Sequence, residues 1–284
     1  MSRSNRNRLQ GLEPTNAPDA DLPISEEGSF SFVVPTEIVE LPSKGVFYPE
    51  GHPLHGVETV EIKHMTAKEE DILTSKALLK KGLAIDRLLN SVIVDKRIEV
   101  DDLLIGDKNA ILVATRITGY GEDYETNVTC PTCGNTEKHS FDLGDLGTIS
   151  GDDIPEGVTL SEEGTFTITL PAFELSVGLK LLTGREENYL MKLAESKQKK
   201  SLPESHVTDQ LKMIICSVQG NSSPSVVEHL VECLPASDSR YIQSTYDKVV
   251  PNIDLRVPYE CSACGYGVED MGVPLTAAFF WPER

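Results

Sequence analysis

The sequence predicts an α+β fold made of two pseudo-symmetric, helix-rich repeats. Three observations carry that expectation. Thr66-Ala67-Lys68-Glu69 and Thr183-Gly184-Arg185-Glu186 each set Thr three residues ahead of Glu before an apolar stretch. At that spacing each side chain satisfies a backbone N–H left free at a helix start. Cys130-Pro131-Thr132-Cys133-Gly134 and Cys261-Ser262-Ala263-Cys264-Gly265 repeat one cysteine knuckle. The elements between helix start and knuckle recur in one order: a capped helix, a second helix, an Asp-started helix (Asp107-Lys108-Asn109, Asp238-Ser239-Arg240) and a strand. The copies share punctuation more than residue identity and differ in loop length. The competing reading is a chance likeness of two helix–strand pieces.

Residues 1–28 are rich in Ser, Asn, Pro, Asp and Glu without a period, which reads as a disordered or partner-binding N-terminal arm. The first repeat, 29–146, opens on Ser29 to Pro35, which alternates like a strand. Leu41 to Pro49 follows as turns bearing two aromatics, either a packed loop or an exposed docking peptide. Val57 to Ile62 predicts the strand ahead of Thr66. The helix from Thr66 runs to about Lys81, where Gly82 offers a left-handed stop. Ile85, Leu88, Leu89 and Val92 recur at helical spacing. Asp107 caps a third helix with Ile111, Leu112 and Thr115 on one side, and Tyr120-Gly121 ends it. Thr126 to Thr129 leads into the first knuckle, and His139 to Leu143 returns.

An acidic, glycine-rich stretch makes 147–163 the linker. The second repeat, 164–284, opens on an alternating strand at Thr165 to Leu170 and a less regular one at Phe173 to Leu181. A capped helix follows from Thr183, then a helix from Val207 to Val218 with Gly220 as its stop, then one opened by Pro224. Ser237 or Asp238 caps the last helix, and Pro251 stops it. Leu255 to Tyr259 leads into the second knuckle, and Val268 to Leu275 returns. The terminal aromatics Phe279-Phe280-Trp281 either pack back under the knuckles or insert into a neighbouring subunit.

The 284 residues suffice to bury a sizeable core, and 39% apolar with 25% charged residues is an ordinary globular balance. No apolar run approaches the ~18 residues of a membrane span. Met1 to Leu22 lacks the apolar stretch of a secretory signal, so a cytosolic protein is expected. A net charge of −19 argues against nucleic-acid binding as the main role, because phosphate contacts need lysine and arginine.

Four of the six cysteines sit in the two knuckles. C-x-x-C sets two thiolates about one turn apart, and the glycine behind each pair permits the left-handed turn that aims backbone amides at sulfur. Cys130, Cys133, Cys261 and Cys264 together make one four-cysteine structural zinc (Zn2+) site. The two strand-flanked knuckles then form a zinc-ribbon-like β module joining the repeats. The long separation between pairs follows from the repeat, whose second set of helices lies between them. A redox dithiol, a zinc deaminase and two separate metal sites drawing on His139 are the alternatives. The first wants a helix N-terminus and the second a His-x-Glu that is missing. Cys216 and Cys233 read as small buried hydrophobes on helices. His52 and His55 read as turn residues, and Lys197 to Lys200 as a solvated helix end. No phosphate-binding loop, nucleophile elbow or zinc-protease motif occurs, so no catalytic or cofactor-binding residues are assigned.

Several segments carry a family likeness: Leu41-Pro42-Ser43-Lys44-Gly45, Met65 to Leu73, Asp102 to Leu112 and the Cys130 pair, with a looser match over the Cys261 pair, Pro274-Leu275 and Phe279 to Pro282. In these the chain resembles the baseplate hub assembly proteins of T-even-like contractile-tailed phages. The resemblance implies a non-enzymatic component or assembly factor of the tail baseplate, acting through contacts with other tail proteins. It also implies a location in the bacterial host cytoplasm during assembly or in the virion tail. The reading from another class is a zinc-ribbon nucleic-acid-binding regulatory protein, which the negative charge and the acids Glu269 and Asp270 oppose.

Overall fold

The computed structural model describes residues 33–151, 154–161, 164–203, 205–273 and 279–280. The expected N-terminal arm, Pro274-Leu275 and Trp281-Pro282 lie outside the described residues. β1 (Thr36–Glu40) pairs antiparallel with β2 (Thr59–Lys63), setting Val39 opposite Val60. Of the strand expected at Ser29 to Pro35, Ser29 to Phe32 lie outside the described residues, and Val33 to Pro35 precede β1 without pairing as strand; Pro35 has no N–H to give a ladder. The connecting loop is packed: Leu41, Ser43, Tyr48 and Leu54 are buried. Gly45 needs to be glycine, because its φ is +72° and a Cβ would lie 2.4 Å from Leu54 O and Val57 N.

α1 (Ala67–Thr74) carries the expected capping box, with Glu69 Oε2 accepting from Thr66 N at 3.0 Å and Thr66 Oγ1 at 2.5 Å. It does not run to Lys81. Ser75 is extended (φ −68°, ψ 105°), and α2 (Lys76–Lys80) restarts behind it. Thr74 Oγ1 turns back onto Glu70 O at the break, one of the local hydrogen bonds by which hydroxyls compete with helix. α3 (Ala84–Val92) buries Leu88, Leu89 and Val92. α4 (Ile105–Tyr120) starts two residues before Asp107, so Leu104 holds the cap position and Asp107 lies inside the first turn. β3 (Asp123–Thr129) and β4 (Thr136–Asp142) form the hairpin that carries the first knuckle.

The 147–163 segment, read as linker, contributes two short strands. β5 (Gly147–Ile149) pairs with residues 252–254, and β6 (Val158–Leu160) edges a sheet with β7 (Phe166–Thr169) and β8 (Ser176–Leu179). α5 (Gly184–Lys199) has its capping box between Thr183 and Glu186. α6 (His206–Ile214) ends four residues before the expected Val218. β9 (Ile215–Val218) instead completes the sheet in the order β6-β7-β8-β9. The open edge of β8 offers hydrogen bonds to a run with β-branched Ile215 and Val218, and that pairing overrides the helical period. This corrects the reading of Cys216, which lies half-buried on a strand, while Cys233 is exposed at the end of the next helix.

That helix is α7 (Pro224–Cys233), with Pro224 in its first turn. α8 (Ala236–Val249) begins behind Pro235, so Asp238 too lies inside the first turn rather than at the cap. β10 (Asn252–Asp254) answers β5, and β11 (Arg256–Glu260) with β12 (Gly267–Gly272) carries the second knuckle. One apolar core runs through these elements, including Leu89 and Ile111 from the first half and Phe166, Leu230 and Ile242 from the second. Phe279 and Phe280 are buried, and the Phe279 ring stands nearly perpendicular to that of Tyr124 of β3, with centroids 5.2 Å apart. These two terminal aromatics thus pack under the first hairpin. Mixed helices and small antiparallel sheets make the fold α+β. Among the described residues no helix is long and apolar enough to cross a membrane.

Candidate metal centre

Both knuckles close in the same way. Cys130 N donates to Asn135 O at 2.8 Å, and Gly134 N to Cys130 O at 2.9 Å. Cys261 N donates to Tyr266 O at 2.8 Å, and Gly265 N to Cys261 O at 2.9 Å. Gly134 and Gly265 take φ of +71° and +68°, the left-handed region that a side chain disfavours. Each turn thus holds its two sulfurs on one side of its hairpin.

The hairpins bring the four expected cysteines together. Cys130 Sγ lies 3.8 Å from Cys264 Sγ, and Cys133 Sγ lies 3.8 Å from Cys261 Sγ. All four sulfurs fall within 4.8 Å of one another. A tetrahedron of thiolates with metal–sulfur bonds of about 2.3 Å has sulfurs about 3.8 Å apart, so the donor set fits and could hold a metal ion. Cys130 and Cys261 are buried; Cys133 and Cys264 face outward. Burial resists ionisation of Cys261, but the backbone amides of Cys264 and Ala263 outweigh it and bring its pKa down to about 7. At Cys264 the Tyr266 amide favours the thiolate, yet the hydrogen bond with the Cys133 thiol, burial and the other cysteines push the pKa up to about 12. Four adjacent thiolates repel one another; a cation among them is what lets all four ionise.

The remaining candidates do other work. The His139 ring packs against Phe141 and Tyr259 at 4.7 and 5.5 Å, and among the described residues the cluster that could hold a metal comprises the four cysteines. His52 stacks on Tyr48 at 4.3 Å, and His55 Nδ1 lies 2.6 Å from Tyr48 O, so both belong to the packed loop. Lys197 meets Asp209 at 2.5 Å.

Two carboxylates carry more than the sequence suggested. Asp107, fully buried, accepts from Ser43 N at 3.0 Å, Ser43 Oγ at 2.5 Å and Tyr48 OH at 2.8 Å. Asp238 accepts from Ala172 N at 2.9 Å and Phe173 N at 3.0 Å. Each fastens a distant loop onto a helix start. Their available signal was an Asp in a first turn, which also reads as an ordinary cap.

The match to known families spans almost the whole described fold: the model of the T4 bacteriophage base plate protein family covers residues 34–281. The chain belongs to that family. No curated protein and no solved structure matches it. The matched span includes both knuckles, both capped helices and the loop held by Asp107. The likeness seen in Leu41 to Gly45 and Met65 to Leu73 therefore stands at the level of the base plate family. Membership makes the chain a phage baseplate component.

Proposed function

We propose that this baseplate protein is a non-enzymatic hub component or assembly factor. It works through contacts with other phage tail proteins, in the host cytoplasm during assembly or in the virion tail. Cys130, Cys133, Cys261 and Cys264 hold one structural zinc ion that staples the ends of two repeats. The observation that carries this reading is the meeting of two knuckles whose facing cysteines are 134 (Cys130 and Cys264) and 128 (Cys133 and Cys261) residues apart, inside the span of a baseplate family. Four sulfurs suit zinc or iron, and four-coordinate thiolate zinc has no open position for substrate, so the site serves stability.

Paired hydrogen bonds support the repeat. Lys63 meets Glu69 at 2.8 Å ahead of α1, and Lys180 meets Glu186 at 2.9 Å ahead of α5. Asp107 and Asp238 fasten corresponding loops. The copies span 29–146 and 164–284.

Elemental analysis of purified protein tests the site. One zinc per chain, lost together with stability in Cys261→Ser, is expected. Full metal content in that variant, or none in the wild type, overturns the shared site.

A further inference from the structure

The two hairpins are not joined by sulfur alone. Glu137, the second residue of β4, reaches across to the other knuckle. Its Oε1 accepts from Tyr259 OH at 2.9 Å and Ser262 N at 3.3 Å, and its Oε2 accepts from Ser262 Oγ. Ser262 lies between the two cysteines of the second knuckle, next to Cys261, and Tyr259 is buried two residues before Cys261. One carboxylate of the first hairpin therefore grips the second knuckle on both sides of its buried cysteine.

The grip is one-sided. Glu137 pairs with Val128 across the first hairpin, and in the second hairpin the corresponding partner of Tyr259 is Val268. Valine offers no acceptor, so the first knuckle receives no matching hold from that position. The second hairpin is also the less regular of the two, with a register shift between Val257 and Tyr259. A knuckle on an irregular hairpin gains most from an outside anchor.

Building on the four-cysteine site proposed above, we infer that Glu137 is a positioning residue for that site, holding the second knuckle where Cys261 and Cys264 meet Cys130 and Cys133. A ligand set held in place before the metal arrives loses less freedom on binding, and partners beyond the ligands change metal affinity by about 10–100-fold when removed. Glu137 touches no metal; it acts through Ser262 and Tyr259.

The test is competition between full-length protein and a chelator for zinc, with cobalt absorption as a second readout, for wild type, Glu137→Ala, Glu137→Gln and Ser262→Ala. Zinc affinity is expected to fall about 10–100-fold in Glu137→Ala, and by less in Glu137→Gln and Ser262→Ala, which keep part of the grip. The tetrahedral cobalt–thiolate bands stay in place, because all four ligands remain. Affinity within threefold of wild type in Glu137→Ala, or tighter binding in Glu137→Gln, overturns the inference; the latter would mean that the carboxylate charge opposes an anionic cluster. If Glu137→Ala fails to fold, Ser262→Ala decides by the same measure. Wild-type protein that takes up no metal defeats the four-cysteine reading itself, whereas metal-loaded wild type with unchanged variants defeats only the role of Glu137.

Discussion

Cys130 Sγ lies 3.8 Å from Cys264 Sγ although 134 residues separate them in the chain. Neither knuckle can find the other by local geometry; the helices and sheet between them set the approach. A cross-link over so long a loop restricts the unfolded chain by about 5 kcal/mol in the chain-entropy picture.

Stability should therefore track free zinc. Above the dissociation constant, each tenfold rise in free zinc is expected to add about 1.4 kcal/mol to the unfolding free energy of the wild type and nothing to that of Cys261→Ser. Urea unfolding in metal buffers measures both slopes, and equal slopes would separate the metal from the fold.

Gly106 marks a close crossing of α4 over the chain just before β10. A Cβ there would sit 1.9 Å from Pro251 O and 2.9 Å from Asn252 Cα, both backbone. Alanine favours a helix by about 1 kcal/mol over glycine, yet Gly106→Ala is expected to destabilise by about 3 kcal/mol. Gly119→Ala in the same helix meets mainly the flexible Met65 side chain and should be close to neutral. Thermal melts of the two variants compare the effects directly.

Asp107→Ala removes the acceptor for Ser43 N, Ser43 Oγ and Tyr48 OH in a buried setting. Donors left unsatisfied cost about 1–3 kcal/mol each, and a loss of about 3 kcal/mol is expected for the variant. Urea denaturation reads it. Ser43→Ala, which leaves the carboxylate two of its three donors, should cost about 1 kcal/mol.

The capping boxes impose a pH dependence. Burial opposes ionisation of Glu69, but hydrogen bonds from Lys63, Ser91 and Thr66 outweigh it and lower its pKa to about 2. At Glu186 burial is likewise outweighed by Thr183 and Lys180, again to about 2. A carboxylate whose folded pKa is depressed contributes stability that is present above its unfolded pKa and lost as pH falls toward the folded one. Glu69→Gln and Glu186→Gln should each cost roughly 1–3 kcal/mol at pH 7. The deficit should close between pH 4.5 and about 2. Asp107, whose pKa burial pushes up, contributes with the opposite sign. Denaturation midpoints against pH, variant minus wild type, isolate each glutamate.

Features governed by near neighbours were legible from the residues alone. The Thr66 and Thr183 boxes, the stops at Gly82 and Gly121, the helix opened by Pro224 and the two C-x-x-C-Gly turns all depend on contacts within a few residues, and each formed where its spacing placed it. Features settled by distant partners were not. Ile215 to Val218 carries a helical period but joins β8, and 147–149 looks like linker but pairs with 252–254. Asp107 and Asp238 look like caps but hold loops 64 to 66 residues away. The spacing also named the four cysteines, but the 3.8 Å between sulfurs of different hairpins depends on the packing of the whole chain. By itself the sequence determined each knuckle's shape, because a turn is decided by its own backbone. Tertiary structure alone decided that the knuckles meet, because their approach is set by a core assembled from both halves.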